Sequence, residues 1–329
     1  MRLKPAPRMR LLLGLLLGLA GGLRAETDLE QARRLMKARD YPAAQGVLER
    51  AVLAEPRSAE AWALLGELQF PARNPKKAQE CADKAIQLDP TKARYQVLRG
   101  NALGMQAQQA NVLKAMTLVG DIRGAYEKAI QLEPRSREAR VALFNYYFNA
   151  PSVAGGGLDK AKALAEQTLA LDAALGHFLK GVLLQKEKNP GGALAEYRQA
   201  QAADPGYAPV YNRLGYLELE QKQVDLALEH FRKQVELTPD DPNSYDSLGD
   251  GLVAKGRLDE AIQAYRKALA LNPTFTPSMR SLGKALEQAG RRDEAIAHYR
   301  ACAQLGTQQG IPQAVKEAKE RLKALGVRE

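Results

Sequence analysis

The 329-residue sequence is poor in several things at once. Aromatic residues make up 6% of it, and β-branched residues are scarce beside Ala, Leu, Gln, Glu, Lys and Arg. That balance argues against a large sheet and leaves helix as the expected state. There are two cysteines, Cys81 and Cys302, far apart in the chain. A disulfide scaffold needs more of them in a much shorter sequence, so both are expected to pack as small core residues. Three histidines, His177, His230 and His298, occupy non-equivalent places. No metal-binding spacing, nucleophile elbow or nucleotide loop accompanies them, so neither an enzyme nor a bound metal or cofactor is expected.

Acid is absent from the first 25 residues, which carry five of the 48 Lys and Arg and none of the 38 Asp and Glu. The formal charge of +10 therefore falls to +5 over the rest, with the two signs interleaved as on a solvated helical surface. Nucleic-acid binding is not supported by that distribution. The basic start is followed by an apolar run from Leu11 to Ala20 and a short Gly-rich piece ending Leu23-Arg24-Ala25. This is the layout of a secretory signal peptide over residues 1–25, with cleavage expected after Ala25 and export to the periplasm of a Gram-negative bacterium. The run is short for a bilayer span, which takes about 20 residues. Membrane contact is expected only if this leader stays uncleaved.

What the sequence has in abundance is self-similarity. A small residue recurs as Ala32, Gly66, Gly100, Gly181, Gly215, Gly249 and Gly283, with Phe144 in the fourth place. Ala44, Ala78, Ile122, Ala161, Ala193, Ala227, Ala261 and Ala295 form a second column, and Leu48, Ala82, Tyr126, Ala165, Tyr197, Phe231, Tyr265 and Tyr299 a third. Most intervals are 34 residues, and Pro205, Pro239 and Pro273 keep the same period. In the clearest copy, Tyr245, Leu248 and Leu252 lie on one face of a first helix, Gly256-Arg257 breaks it, and Ala261, Tyr265, Ala268 and Leu269 line a second helix ended by Pro273. A glycine inside a helix costs about 1 kcal/mol relative to alanine. Six such glycines call for a compensating cause, which a close approach of the paired helices beside the aromatic column would supply.

These columns resemble the tetratricopeptide repeat: aromatic, Leu-Gly, large apolar, Ala, aromatic, Ala and Pro over 34 residues. Eight copies are counted over residues 26–309. The resemblance implies an all-α fold, an α-solenoid wound as a right-handed superhelix of about eight helix pairs. Residues 310–329 follow as a capping helix and tail, with Ile311, Val315, Ala318, Leu322 and Leu325 forming one apolar stripe. Phe144, Ile122 and Glu218, the last standing where a large apolar residue is usual, depart from the pattern.

The period breaks twice. The third copy holds ten extra residues near 104–121, almost uncharged, with Met105, Val112, Leu113 and Met116 among them. Either both helices of that pair are lengthened, or an apolar hairpin protrudes and docks on a partner. The fourth copy holds five extra residues near 150–157, after the aromatic cluster Phe144 to Phe148. Its Ala-Pro…Gly-Gly-Gly…Asp-Lys-Ala loop is similar to that of a group of exported bacterial tetratricopeptide proteins, a likeness that implies a family and not an activity. The glycines read as a tight turn, because a phosphate loop would need a following Gly-Lys-Ser/Thr.

In tetratricopeptide solenoids the first helices line the concave face where ligands lie. The matching positions here are Val97, Asn101, Val141, Asn145, Phe148, Phe178, Val182, Asn212, Tyr216, Asp246, Asp250, Arg280 and Lys284. Asn101 and Asn145 are equivalent in adjacent copies, where stacked amides would suit an extended peptide. The Lys of the chaperone-binding clamp is absent, since Val97 and Val141 stand in its place, so that activity is not carried over. The expected function is a non-enzymatic scaffold or adaptor of the cell envelope that binds a protein or peptide. The alternative is a periplasmic small-molecule-binding component of a transport system, with its pocket near Val141 to Phe148.

Overall fold

A computed structural model describes residues 27–308 and 310–327, and the expected leader lies outside them. The described residues form seventeen α-helices and one short 3-10 turn, with no strand among them. The first copies are α1 (Asp28–Lys37) with α2 (Tyr41–Ala54), and α3 (Ala59–Leu68) with α4 (Pro75–Leu88). The two interrupted copies follow, α5 (Ala93–Gln109) with α6 (Val112–Leu132), and α7 (Arg137–Asn149) with α8 (Leu158–Leu169). Then come α9 (Ala173–Lys186) with α10 (Pro190–Ala203), and α11 (Ala208–Glu220) with α12 (Val224–Leu237). The last are α13 (Pro242–Ala254) with α14 (Leu258–Leu271), α15 (Thr276–Gln288) with α16 (Arg292–Gln308), and a single α17 (Pro312–Ala324).

The chain divides into two units after Gln106. In the first, α1, α2, α3 and α4 pack each on the next, and Tyr95 and Leu98 of α5 join Ala82 and Ala85 in one apolar cluster. In the second, every helix from α6 to α17 packs on its successor, and α11, α13, α15 and α17 also touch in turn. Stacking in sequence order is what a repeat requires, because a single hairpin cannot bury its own apolar face.

The glycine column has the cause the sequence called for. A Cβ on Gly181, Gly215, Gly249 or Gly283 would sit 2.3–2.4 Å from the ring of Tyr197, Phe231, Tyr265 or Tyr299 respectively. Those four rings are 3% exposed or less. Each large ring thus lies against bare backbone, and the apolar area it buries offsets the helical cost of glycine.

A second column governs the turns. Arg39, Arg73, Lys188, Lys222, Gly256 and Gly290 fall one after another at the same place in their copies, all with φ between 54° and 78°. At each, the following amide reaches back five residues, as Asp40 N–H to the Leu35 carbonyl and Gln223 N–H to the Glu218 carbonyl, both within 2.9 Å. This is the Schellman closure of the first helix, and glycine is the residue best suited to it. Four copies place a Lys or Arg there instead, at a steric cost of roughly 1–2 kcal/mol each. The next helix then starts at once, capped by Asp40, Asn74 or Asn189 where those side chains accept an amide proton.

At the far end Ala314, Ala318 and Leu322 of α17 are buried in one cluster with residues of α15 and α16. Arg321 binds Glu287 of α15, and Arg292 donates to the Leu325 carbonyl. No helix among the described residues is long and apolar enough to cross a membrane.

Candidate binding surface

The two interruptions of the period meet in space. Helix α6 has 21 residues and α5 has 17, against 13 or 14 in most later helices, so both helices of the third pair are lengthened. The start of α6, capped by Asn111, carries Val112 and Leu113 at 78% and 82% exposure. Further along α6 the 150–157 loop packs against it. Tyr146 directs its hydroxyl at the Val119 carbonyl (3.1 Å) on α6 and at the Ala154 carbonyl in the loop. Lys160 donates to the Gly155 carbonyl at 2.8 Å.

The three loop glycines each meet a different demand. Gly155 (φ 79°) and Gly157 (φ 142°) have left-handed backbone, and a Cβ on Gly156 would lie 1.9 Å from the Ala150 carbonyl oxygen. Their amides donate to the carbonyls of Ser152, Pro151 and Tyr147, which leaves none turned toward a phosphate. The glycines therefore build a tight turn, and Val153 stands on it 75% exposed.

Behind this loop a cavity of about 310 Å3 lies between α6, α7 and α8, lined by Leu143, Tyr147, Lys160, Leu164, Gln167 and Glu127 among others. The Tyr147 hydroxyl donates to Glu127 at 2.9 Å, and burial followed by that carboxylate pushes its pKa up to about 12.

The residues placed on the first helices have divergent fates. Val97 is 1% exposed and belongs to the core, which corrects the expectation of an open position. Its counterparts Ala63 and Asp246 are buried too, while Arg280 at the same place in α15 is exposed. Asn101 in the first unit and Asn145 in the second are both exposed. Met105, Met116, Val141 and Val182 are half-buried. Phe178 packs edge-on to Tyr207 at 5.4 Å and beside Tyr197, so its ring is committed to the core. Phe148 stacks on Phe144 at 5.6 Å with the Lys186 ammonium 5.3 Å from its ring.

Along α11, α13 and α15 the polar residues bond to one another. Asn212 donates to Ser247 at 2.7 Å and to Gln234 at 3.3 Å. Asp250 accepts one phenol proton on each oxygen, from Tyr216 at 2.8 Å and Tyr265 at 2.7 Å. Asp246, 5% exposed, accepts from Ser278 at 2.6 Å. Burial is the main force raising the Asp246 pKa to about 6; Asp250 adds to it, while Ser278 and Arg280 oppose it. These side chains satisfy one another, and Asp246 is buried where an open position was expected. Arg280 and Lys284 are exposed, beside a cleft of about 370 Å3 between α15 and α17.

The first unit has its own row. Glu60 binds Arg33, Arg94 (2.7 Å) and Tyr95 (3.2 Å), and Arg94 also holds Glu67 at 2.6 Å. The odd Glu218 is explained by His230, whose Nδ1 lies 2.6 Å from its carboxylate. Cys81 and Cys302 are free, buried thiols, each pushed by burial to a pKa of about 11 and so held as thiols. No cluster of three or more metal-ligating side chains occurs among the described residues.

Two tetratricopeptide-repeat family models match the sequence, one over residues 206–274, the other over 29–93, 152–208 and 247–309. The second takes in more than half of the chain. The chain belongs to the tetratricopeptide repeat family. Residues 94–151, which hold the ten-residue insertion, fall between the matched segments. No curated protein matches. Among solved structures, the APC/C hetero-tetramer Cut9–Hcn1 is similar with a TM-score of 0.52 at 14% identity, over 88% of this chain and 55% of that one. This chain therefore spans about half of that one, and the likeness is one of fold alone. A thermophilic tetratricopeptide protein of Thermus thermophilus is 21% identical over 58% of this chain and 97% of its own, with a TM-score of 0.48. Proteins of this family act in general as interaction scaffolds that bind protein partners.

Proposed function

We propose that this tetratricopeptide protein is a non-enzymatic adaptor of the bacterial cell envelope, exported by its N-terminal leader, which docks a protein partner through its two insertions. One observation carries the reading. Val112, Leu113 and Val153, three of the most exposed large apolar side chains in the second unit, all lie on the two stretches that break the repeat. Exposed apolar surface costs solubility and tends to mark an interface. The basic stretch, apolar run and Ala25 of the leader support export, and the Gly-Gly-Gly loop supports kinship with the exported bacterial group.

Site-specific photocrosslinking at Leu113 in envelope extracts tests this. A saturable protein adduct is expected, lost when Val112 and Val153 are changed to Asp and absent when the probe is placed at Gln131. Equal labelling from both positions would refute it. A second reading has its own observation, the cavity beside Tyr147. A transported small molecule bound there would raise the melting temperature of the wild type and not of Tyr147→Ala.

A further inference from the structure

The cleft between α15 and α17 was not anticipated from the sequence, and its charges are arranged in a way that specifies a ligand. Its floor is apolar: Met279 from α15, Tyr299 and Cys302 from α16, and Ala314 and Ala318 from α17. One wall, on α15, presents the cations Arg280 and Lys284. The facing wall, on α17, presents the carboxylates Glu317 and Glu320. Arg321, also on the lining, is already engaged by Glu287. At about 370 Å3 the cleft falls at the lower end of the range for small-ligand sites, roughly 300–1,000 Å3.

We infer that this cleft binds an α-amino acid with a large apolar side chain. Its carboxylate meets Arg280 and Lys284, its ammonium meets Glu317 and Glu320, and its side chain lies on the apolar floor. The two charges of an α-amino acid flank a single carbon, so both walls can be engaged at once only across a narrow mouth. The approach of Arg280 to Glu317, 3.7 Å, shows that the mouth is that narrow. That ion pair is long, and the Arg280 side chain is half exposed, so opening it costs little. The ligand would replace this loose pair by two charge-assisted contacts, with Gln313, which donates to Glu317 at 2.7 Å, left in place. A ligand with one charge leaves one wall unmatched, which is the source of specificity. The site lies apart from the insertions, so it does not rest on the adaptor reading.

The test is titration of the full mature chain with L-leucine and L-phenylalanine, followed by amide chemical shifts of Met279, Ala314 and Ala318. Two leucine analogues accompany them: 4-methylpentanoate, which lacks the amine, and 3-methylbutylamine, which lacks the carboxylate. Saturable shifts are expected for at least one amino acid, with each analogue about tenfold weaker or more. Lys284→Gln and Glu317→Gln should each weaken binding by about tenfold. Absence of saturable shifts with either amino acid at millimolar concentration would overturn the inference. So would analogues that bind as well as leucine, a result read on the wild type and independent of how any variant folds. Loss of the Leu113 crosslink would leave these outcomes unchanged.

Discussion

The regular copies from α9 to α16 and the interrupted stretch from α6 to α8 use glycine in opposite ways. In the regular copies a helical glycine lies under an aromatic ring, and no atom could be added to it. In α6, Gly120 and Gly124 have nothing within 4 Å of where a Cβ would stand. The helical glycine under a ring is thus a packing requirement, whereas Gly120 and Gly124 within α6 are unfilled positions. The difference teaches that the regular pairs depend on a ring seated on bare backbone, while α6 at Gly120 and Gly124 has no such seat.

The largest expected effect breaks that contrast directly. Gly249→Ala should destabilise the protein by about 2–3 kcal/mol, because the new methyl meets the Tyr265 ring at 2.4 Å in a filled site. Gly124→Ala should act in the other direction, by roughly 0.5–1 kcal/mol, through helix propensity alone. Thermal or denaturant unfolding of both variants checks the pair, and equal signs would show that the contrast is misplaced.

A second prediction concerns the polar row of the regular copies. The folded-state pKa of Asp246, about 6, lies above its ordinary 3.8, so folding favours the protonated acid. Stability should therefore rise as pH falls from 7 through 6 toward 4, by about 2 kcal/mol. Asp246→Asn should flatten that part of the pH profile while keeping the approach to Ser278. A profile unchanged by the substitution would show that Asp246 titrates normally.

The smallest effect sharpens the comparison at the turns. Lys188→Gly and Lys222→Gly should each stabilise by about 1 kcal/mol, since both residues hold φ near 60° and glycine does so without strain. No such gain is expected at Ala150, which ends α7 with φ −73° in extended backbone.

Much of this was legible in the sequence, and for identifiable reasons. The glycine and aromatic columns announced close helix contact because a helical glycine is costly unless something requires it. The third pair was expected to lengthen or to protrude, and it lengthens with its most apolar residues exposed at the tip. The Gly-Gly-Gly loop read as a tight turn, and the backbone angles and the Ala150 approach account for that. What stayed hidden lies between copies. Val97 was placed on an open face because the repeat register does not distinguish it from Arg280, which is exposed at the same place in α15. Asp246, Asp250 and Tyr216 were placed on the first helices as polar residues, but the bonds from Ser278 to Asp246 and from Tyr216 to Asp250 join different copies, more than thirty positions apart. The α15–α17 cleft depends on how α17 is set against α15, which no residue pattern within either helix reveals. The strained Lys and Arg at the turns escaped notice because only the glycine copies carry a visible signal.

Trp62, Arg140 and Tyr211 occupy the same place in three first helices. Each sends a side-chain proton to the carbonyl of the proline six residues earlier, at 3.0, 2.6 and 2.7 Å. An indole, a guanidinium and a phenol share little but reach and a polar hydrogen. Three unlike side chains thus close the same turn by one kind of bond, so in these copies it is the polar hydrogen, and not size, charge or aromaticity, that joins the first helix to the turn before it.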